Sequence, residues 1–468
     1  MLNNTPLAVL AALFALAYVL IAVAAALHVL LYKRNSRAAF GWLGLIITFP
    51  FAGALLYALF GINRVARKAQ QLGMTDGDTD ELPLHRKGAG AGMDQPGFRI
   101  TGSELLEGNE VVTLQNGEQA FPAMLEAIDS ASREVLLSTY IFDNDDTGLQ
   151  FIEKLAAARD RGCTVCILVD DVGIRYSFPT IIGELKKHRL PYRRFMPLRL
   201  LPPSFSINLR THRKVLVVDR NLAFAGGMNI GDRQLVDGPS KHSASDLHFR
   251  LRGPVTAELV DLFLKDWSRF KGEYAGDWKA DPLEAGKARC RIIADGPDET
   301  LDSLMLVMMG AISCARERVW IMTPYFLPER QMLGCLQAAA LSGVDVKVMI
   351  PAENNWPIVQ WALQHNMVEL LDAGVRIYQR RPPFAHSKSM LIDQEFSLVG
   401  SSNMDPRSLR LNFELGVEVY DRALNRQLAA HFEQTLEQCS RFTHQSLNDR
   451  SYAARLRDGA SALFSPYL

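Results

Sequence analysis

Residues 212–229 read His-Arg-Lys-Val-Leu-Val-Val-Asp-Arg-Asn-Leu-Ala-Phe-Ala-Gly-Gly-Met-Asn, and residues 386–403 read His-Ser-Lys-Ser-Met-Leu-Ile-Asp-Gln-Glu-Phe-Ser-Leu-Val-Gly-Ser-Ser-Asn. His, Lys, Asp, Gly and Asn recur at the same relative positions: His212, Lys214, Asp219, Gly226 and Asn229, then His386, Lys388, Asp393, Gly400 and Asn403. One His-x-Lys-x4-Asp match would arise by chance at odds of roughly a few per cent in a chain this long. Two copies in register as far as the asparagine mark a duplication. Within each copy His and Lys stand two apart at the head of a strand, so both side chains project from one face. The apolar run behind them is the buried strand that fixes their position, and Asp219 or Asp393 falls at the turn that ends it. The glycines after the next strand, Gly226-Gly227 and Gly400, permit close backbone approach. Asn229 and Asn403 then return a hydrogen-bonding side chain to the pocket, with Gly227 and Ser401 as further supporting positions.

Outward from the motifs, strands and helices alternate. The spacing predicts helices over 121–130 and 149–159 with strands over 135–142 and 164–169, and a second set with helices over 304–314, 332–341 and 359–371 and strands over 319–326, 344–350 and 375–378. Tyr140-Ile-Phe answers Tyr325-Phe-Leu, and Gly162-Cys-Thr-Val answers Gly343-Val-Asp-Val. The fold class is therefore α/β, with two pseudo-symmetric βα repeats at 106–280 and 281–445, each a mixed sheet flanked by helices, and a tail at 446–468. The two motifs can meet at the axis between the repeats. The first repeat alone carries an insertion, over 195–209, rich in Leu, Phe, Pro and Arg. It suits either a loop that touches membrane or acyl chains or one packed on its own body.

The whole chain has 468 residues, 48% of them hydrophobic and 22% charged, with a formal net charge of zero. That balance gives no support to a nucleic-acid partner. Through Lys68 there is no Asp or Glu. The runs 7–31 and 38–62, each about 25 residues without a charge, are long enough to span a bilayer, so 1–68 reads as a transmembrane helical hairpin. A cleaved signal peptide is the rival for the first run, but that run is too long and no Lys or Arg precedes it. Basic residues lie both in the hairpin loop and after the second run, so they do not orient it. Residues 69–105 read as a polar, Gly-rich tether; its acidic cluster lacks the later glutamate of a calcium loop. Cys163 and Cys166, three apart at the start of a strand, read as buried strand cysteines.

Two His-Lys units facing one another suit phosphodiester transfer. Two lysines and two asparagines can hold the non-bridging oxygens. One neutral imidazole attacks phosphorus while the other, protonated, donates to the leaving alkoxide. Such chemistry requires no metal and no cofactor. A histidine used in this way needs an acceptor on its other nitrogen; Glu414 is the candidate for His386 and Asp246 for His212, the alternative for each being a carboxylate without a role.

The paired motifs resemble the phospholipase D superfamily. Phrases along nearly the whole chain are similar to the bacterial cardiolipin synthases: Tyr57-Ala-Leu-Phe-Gly61, Ile207-Asn-Leu-Arg-Thr-His-Arg-Lys214, Gly226-Gly-Met-Asn-Ile-Gly231, Thr323-Pro-Tyr-Phe326, Gly400-Ser-Ser-Asn-Met-Asp-Pro-Arg-Ser408 and Phe464-Ser-Pro-Tyr-Leu468. The resemblance implies two phospholipase D-like repeats in the bacterial cytoplasmic membrane, anchored by more than one span. It implies transfer of a phosphatidyl group between two phosphatidylglycerol molecules, giving cardiolipin and glycerol through a phosphohistidine. By the same analogy His212 is the nucleophile and His386 the general acid, then base. A hydrolase releasing phosphatidic acid, or a related phosphodiesterase, is the alternative. The chain departs from the family's usual pattern at Ser243-Ala-Ser-Asp246, where Trp-Arg-Asp is usual, and at Asn354-Asn-Trp-Pro357, which replaces an Asp-containing loop.

Overall fold

The computed structural model describes residues 5–33, 36–61, 92–197, 209–238, 240, 243–270, 272–274, 276, 283–297 and 302–465. The chain divides into two compact units, residues 1–72 and 73–468. In the first unit, α1 (Thr5–Tyr32) is followed by α2 (Ser36–Thr48), α3 (Pro50–Leu56) and a π-helical turn, Tyr57–Gly61. Of the described residues only Ala8–Tyr32, 25 residues, form a helix long and apolar enough to cross a membrane. The second continuous span expected over 38–62 is not formed, so the two-helix hairpin is corrected to one long helix followed by a broken one. Pro50 has no N–H to continue the ladder, and Phe49 before it leaves helical geometry (φ −132°, ψ 72°). α3 then folds close on α2, since a Cβ on Gly53 would lie 2.5 Å from the Leu45 carbonyl oxygen. Val29, Ile46 and Tyr57 are buried between the segments, with the Tyr57 hydroxyl 2.8 Å from His28 Nδ1.

The second unit is built on one continuous sheet. The first repeat contributes β1 (Leu106–Gln115), β2 (Glu134–Thr139), β3 (Thr164–Asp170), β4 (Tyr192–Phe195), β5 (Val215–Val218), β6 (Leu222–Gly226), β7 (Ala244–Ser245) and β8 (Leu247–Arg252). The second contributes β9 (Ala288–Asp295), β10 (Arg318–Met322), β11 (Asp345–Pro351), β12 (Arg376–Arg380), β13 (Phe384–Ala385), β14 (Ser389–Ile392), β15 (Phe396–Gly400), β16 (Glu414–Tyr420) and β17 (Cys439–Phe442). Strand order in this sheet is β17-β12-β11-β10-β14-β15-β16-β9-β1-β8-β6-β5-β2-β3-β4, while β7 and β13 pair with each other in a separate two-stranded sheet. In each half three strands joined through helices are parallel, and the motif strand and those beyond it are antiparallel. The halves fuse where β1 pairs antiparallel with β9. The motif strands β5 and β14 lie inside the ladder and are buried along their whole length, which is why, Ser389 apart, their sequences are apolar runs.

Helices Asn116–Ser130 and Asp146–Asp160 cover the first half around Phe121, Phe151, Leu155 and Phe224. Helices Ser303–Cys314 and Arg330–Leu341 do the same in the second half around Leu304, Leu336, Ile392 and Phe396. Gly162 and Gly343 hold equivalent places after a helix with φ of 93° and 92°, a left-handed cap that a side chain disfavours. Cys163 and Cys166 are buried, as expected, and burial pushes the Cys166 thiol up to about 12.

The aromatic matching is one residue out of register. Val135 faces Val218 and Val319 faces Ile392, the same position in the two motifs, so Tyr140-Ile-Phe corresponds to Pro324-Tyr-Phe. Thr139 Oγ1 donates to Ile141 O and Thr323 Oγ1 to Tyr325 O, both at 2.9 Å, in agreement with this register. Ladder hydrogen bonds set register, and two similar aromatic triplets had masked the offset.

The tether expected over 69–105 is ordered at its end. Helix Gln95–Thr101 is clamped by buried Arg291, which donates to the carbonyls of Asp94 and Ser103. In the tail, helix Tyr452–Ala462 packs along Pro357–Asp372, with Arg457 stacked 4.3 Å above Trp361. Residues 62–91, with the acidic cluster, 198–208 of the insertion, and 466–468 lie outside the described residues.

Candidate active site

The two repeats exchange strands' ends across their axis. Thr211 forms a parallel bridge with Phe413, and His212 N donates to Phe413 O at 2.8 Å. On the other side β13 pairs with β7, and His386 N donates to Ser245 O at 2.8 Å. Each histidine thereby meets the carboxylate of the opposite repeat: His212 Nδ1 lies 3.0 Å from Glu414 Oε2, and His386 Nδ1 lies 2.6 Å from Asp246 Oδ2. The expected pairing of Glu414 with His386 and Asp246 with His212 is therefore reversed. Within one repeat the carboxylate strand is two places from the motif strand (β5-β6-β8 and β14-β15-β16), about 10 Å away at the usual strand spacing. Across the axis the same segments are direct neighbours.

A carboxylate accepts, so Nδ1 of each ring donates and the Nε2 lone pair is left for chemistry. Lys214 Nζ donates to His212 O at 2.8 Å and Lys388 Nζ to His386 O, which ties each ammonium to its own histidine. Glu414 is fully buried and also accepts from the hydroxyls of Ser401 and Ser408 and from Asn412 Nδ2. Asp246 accepts from Leu247 N at 2.7 Å. Gly227, the counterpart of Ser401, lets the backbone pass Asp246: a Cβ there would stand 2.6 Å from the carboxylate. The two orienting pairs thus rest on different contacts.

Burial dominates the electrostatics. It holds His212 below the usual imidazole range, with Glu414 opposing it, and His386 down to about 4, reinforced by Lys388. It holds Lys214 well below the ordinary ammonium value and Lys388 down to about 8; Glu414 and Asp246 oppose this at both lysines. Burial alone would raise Asp246 and Glu414, but Lys388 with His386, and His212 with Lys214, hold them low. Every lysine feels both carboxylates, so the two motifs form one site. An entering phosphodiester anion opposes this burial and favours the protonated forms of the lysines and of one imidazole.

Residues 124–267 and 308–436 match the family described as cardiolipin synthase, PLD-like domain, and residues 20–61 match that described as phospholipase D-nuclease N-terminal. A cardiolipin synthase of Geobacillus sp. (strain WCH70) is 32% identical over 94% of this chain and 90% of its own length. The chain belongs to the cardiolipin synthase family. It is an enzyme with the α/β fold of two repeats expected from its motifs. A cardiolipin synthase of Staphylococcus aureus (strain Mu50) is 30% identical over 93% of this chain and 92% of its own length. Among solved structures, a phosphatidylserine synthase of Haemophilus influenzae shares the fold with a TM-score of 0.62 at 14% identity, over 80% of this chain and 100% of that one.

Asp219 and Asp393 do not join the cluster. They end β5 and β14 at the far side from the histidines, with left-handed φ of 47° and 49°, a conformation that Asp tolerates better than most residues. Asp219 accepts from the N–H groups of Ser132, Arg133 and Glu134, and Asp393 from those of Arg316, Glu317 and Arg318. Placing them among the catalytic groups is corrected: each clamps the turn before β2 or β10. Asp219→Ala or Asp393→Ala is expected to cost about 1–3 kcal/mol of stability through lost charge-assisted bonds. Activity per folded molecule should be kept, as thermal melts and rates on the folded fraction will show. A loss of rate in fully folded protein would contradict the clamp.

Asn229 Oδ1 accepts from Ile141 N at 3.1 Å, which leaves its amide N–H groups unspent in that bond, while Asn403 Oδ1 is buried without a partner among the described residues. Motif reading missed Arg213, which donates to Glu414 O and Asp295 O and pairs with Asp266 at 2.7 Å, and so locks the opposite repeat against His212. It missed Ser408 and Asn412 as holders of Glu414, although Ser408 closes one of the family phrases. It also gave no role to Tyr140, whose ring meets His212 edge-on at 5.5 Å.

Proposed function

We propose that this chain is a phosphatidyltransferase that makes cardiolipin and glycerol from two molecules of phosphatidylglycerol. The observation that carries the reading is the crossed pair of carboxylate-bound histidines, each with Nε2 unspent, beside two lysines in one site. The names of the full-length relatives support phospholipid substrates and this product.

In the first half-reaction His212 Nε2 attacks phosphorus, the bond to the glycerol oxygen breaks, and His386 gives its proton to that oxygen. A phosphohistidine results. In the second, neutral His386 takes the proton of a headgroup hydroxyl on the second phosphatidylglycerol, whose oxygen displaces His212 from phosphorus. Lys214, Lys388 and the amides of Asn229 and Asn403 are the donors for the non-bridging oxygens. The threefold support of Glu414, from Ser401, Ser408 and Asn412, favours His212 as the nucleophile, since it fixes that ring more firmly. Attachment is to the bacterial cytoplasmic membrane, through α1.

Purified protein given phosphatidylglycerol alone in mixed micelles is expected to release glycerol and cardiolipin in equal amounts. Phosphatidic acid in place of cardiolipin would make it a hydrolase.

A further inference from the structure

Arg233 and Arg407 stand four residues after Asn229 and Asn403, at the same place in the two repeats. Arg233 is neutralised: its Nε lies 2.8 Å from Asp143 Oδ2 and its guanidinium 5.8 Å from the centre of the Tyr176 ring. Asp143 N donates to Ile230 O, and in the second repeat Leu327 N donates to Met404 O, so Leu327 occupies the place of Asp143. Arg407 has lost the carboxylate that its counterpart keeps. Its side chain is exposed and makes no ion pair or hydrogen bond among the described residues. Nearby Asp405 sits where the first repeat has Gly231; its Oδ1 is taken by Ser408 N in capping the helix Pro406–Arg410, and although the charge of Arg407 acts on it, burial holds this carboxyl up at about 7 and the two form no ion pair. The charge of Arg407 acts on the hydroxyls of Tyr325 and of Tyr140, the ring beside His212 in the other repeat. The next residue, Ser408, donates to Glu414 Oε1 at 2.6 Å and the Arg407 carbonyl oxygen accepts from Asn412 N, so Arg407 stands exposed beside the carboxylate that serves His212, outside the buried cluster.

The buried cluster, with one pair of histidines and one pair of lysines, serves the one reacting phosphodiester. Joining two phosphatidylglycerols brings a second, which does not react and stays one glycerol away from the reacting phosphorus. We infer that Arg407 holds the intact phosphodiester of the acceptor lipid and so selects a lipid-borne hydroxyl over water and free glycerol; this rests on the function proposed above. A guanidinium fork matches phosphate oxygens in pairs. In the step it guides, the acceptor's oxygen bonds to phosphorus, the phosphorus–nitrogen bond to His212 breaks, and the acceptor's proton passes to His386.

The test compares two rates in full-length enzyme. Exchange of labelled glycerol into phosphatidylglycerol uses only the first half-reaction and its reversal, whereas cardiolipin formation needs the acceptor lipid. Arg407→Gln is expected to lower the ratio of cardiolipin formation to glycerol exchange by about 10–100-fold, the scale of one charged hydrogen-bonding contact. It should raise the share of phosphatidic acid, and Arg407→Lys should recover part of the ratio. An unchanged ratio in Arg407→Gln overturns the assignment of Arg407 and leaves the proposed function standing. Wild-type enzyme that exchanges glycerol yet forms no cardiolipin overturns both.

Discussion

His212→Asn is expected to lower cardiolipin formation by at least about 10⁴-fold and to leave no covalent lipid on the protein, because it removes the atom that bonds phosphorus. His386→Asn is expected to lower turnover by about 10²–10⁴-fold, the range of a lost general acid and base. Its signature differs. A histidine-linked phosphatidyl group should still form, slowly, and then persist, since no base remains to activate the acceptor hydroxyl. Quenching with labelled phosphatidylglycerol and mass spectrometry of the peptides that carry His212 and His386 separates these outcomes. An adduct on position 386 in the wild type would exchange the two roles, and an adduct on neither would remove the covalent step. Asparagine keeps volume and polarity at partly buried positions whose main-chain N–H groups are already bonded to Phe413 and Ser245, so folding should survive.

The second large effect follows from the crossing of the carboxylates. Glu414→Gln is expected to behave as a weaker His212→Asn, with slow formation of the adduct. Asp246→Asn should behave as a weaker His386→Asn, with slow resolution. In each case an amide replaces the acceptor that fixes the ring's tautomer and steadies the imidazolium. In a catalytic triad the corresponding change costs on the order of 10³–10⁴-fold. Glu414→Gln also forces an amide among Ser401, Ser408 and Asn412, which all donate to the carboxylate now, so it should be the less stable of the two. Rapid-quench measurement of glycerol release against cardiolipin release distinguishes the steps. If an adduct persisted in Glu414→Gln and failed to accumulate in Asp246→Asn, the histidine roles would be reversed.

Much of this architecture is legible along the chain because its signals are local. The duplicated motif, the buried runs at β5 and β14 and the helical spacings around Phe121 and Leu336 each depend on residues within one element. Register is less legible: Tyr140-Ile-Phe and Tyr325-Phe-Leu look alike, yet the ladder matches Tyr140 to Pro324. The break at Pro50 was visible as a residue type. Its consequence, one membrane-length helix in place of two, depends on how α3 folds back on α2 past Gly53.

The family, the duplication and the identity of the histidines and lysines are readable from the residues alone, since a strand with His and Lys two apart must present both on one face. Which carboxylate serves which histidine is a matter of the fold. Two intervening strand spacings separate the partners within a repeat, while the parallel bridges at Thr211 and Phe384 make them neighbours across the axis. It also moved Asp219 and Asp393 out of the site, because a strand places its ends at opposite edges of the sheet. And it left Arg407 without the carboxylate that Arg233 keeps, a difference carried by one position, Leu327 in place of Asp143, that becomes visible once the two ladders are laid in register.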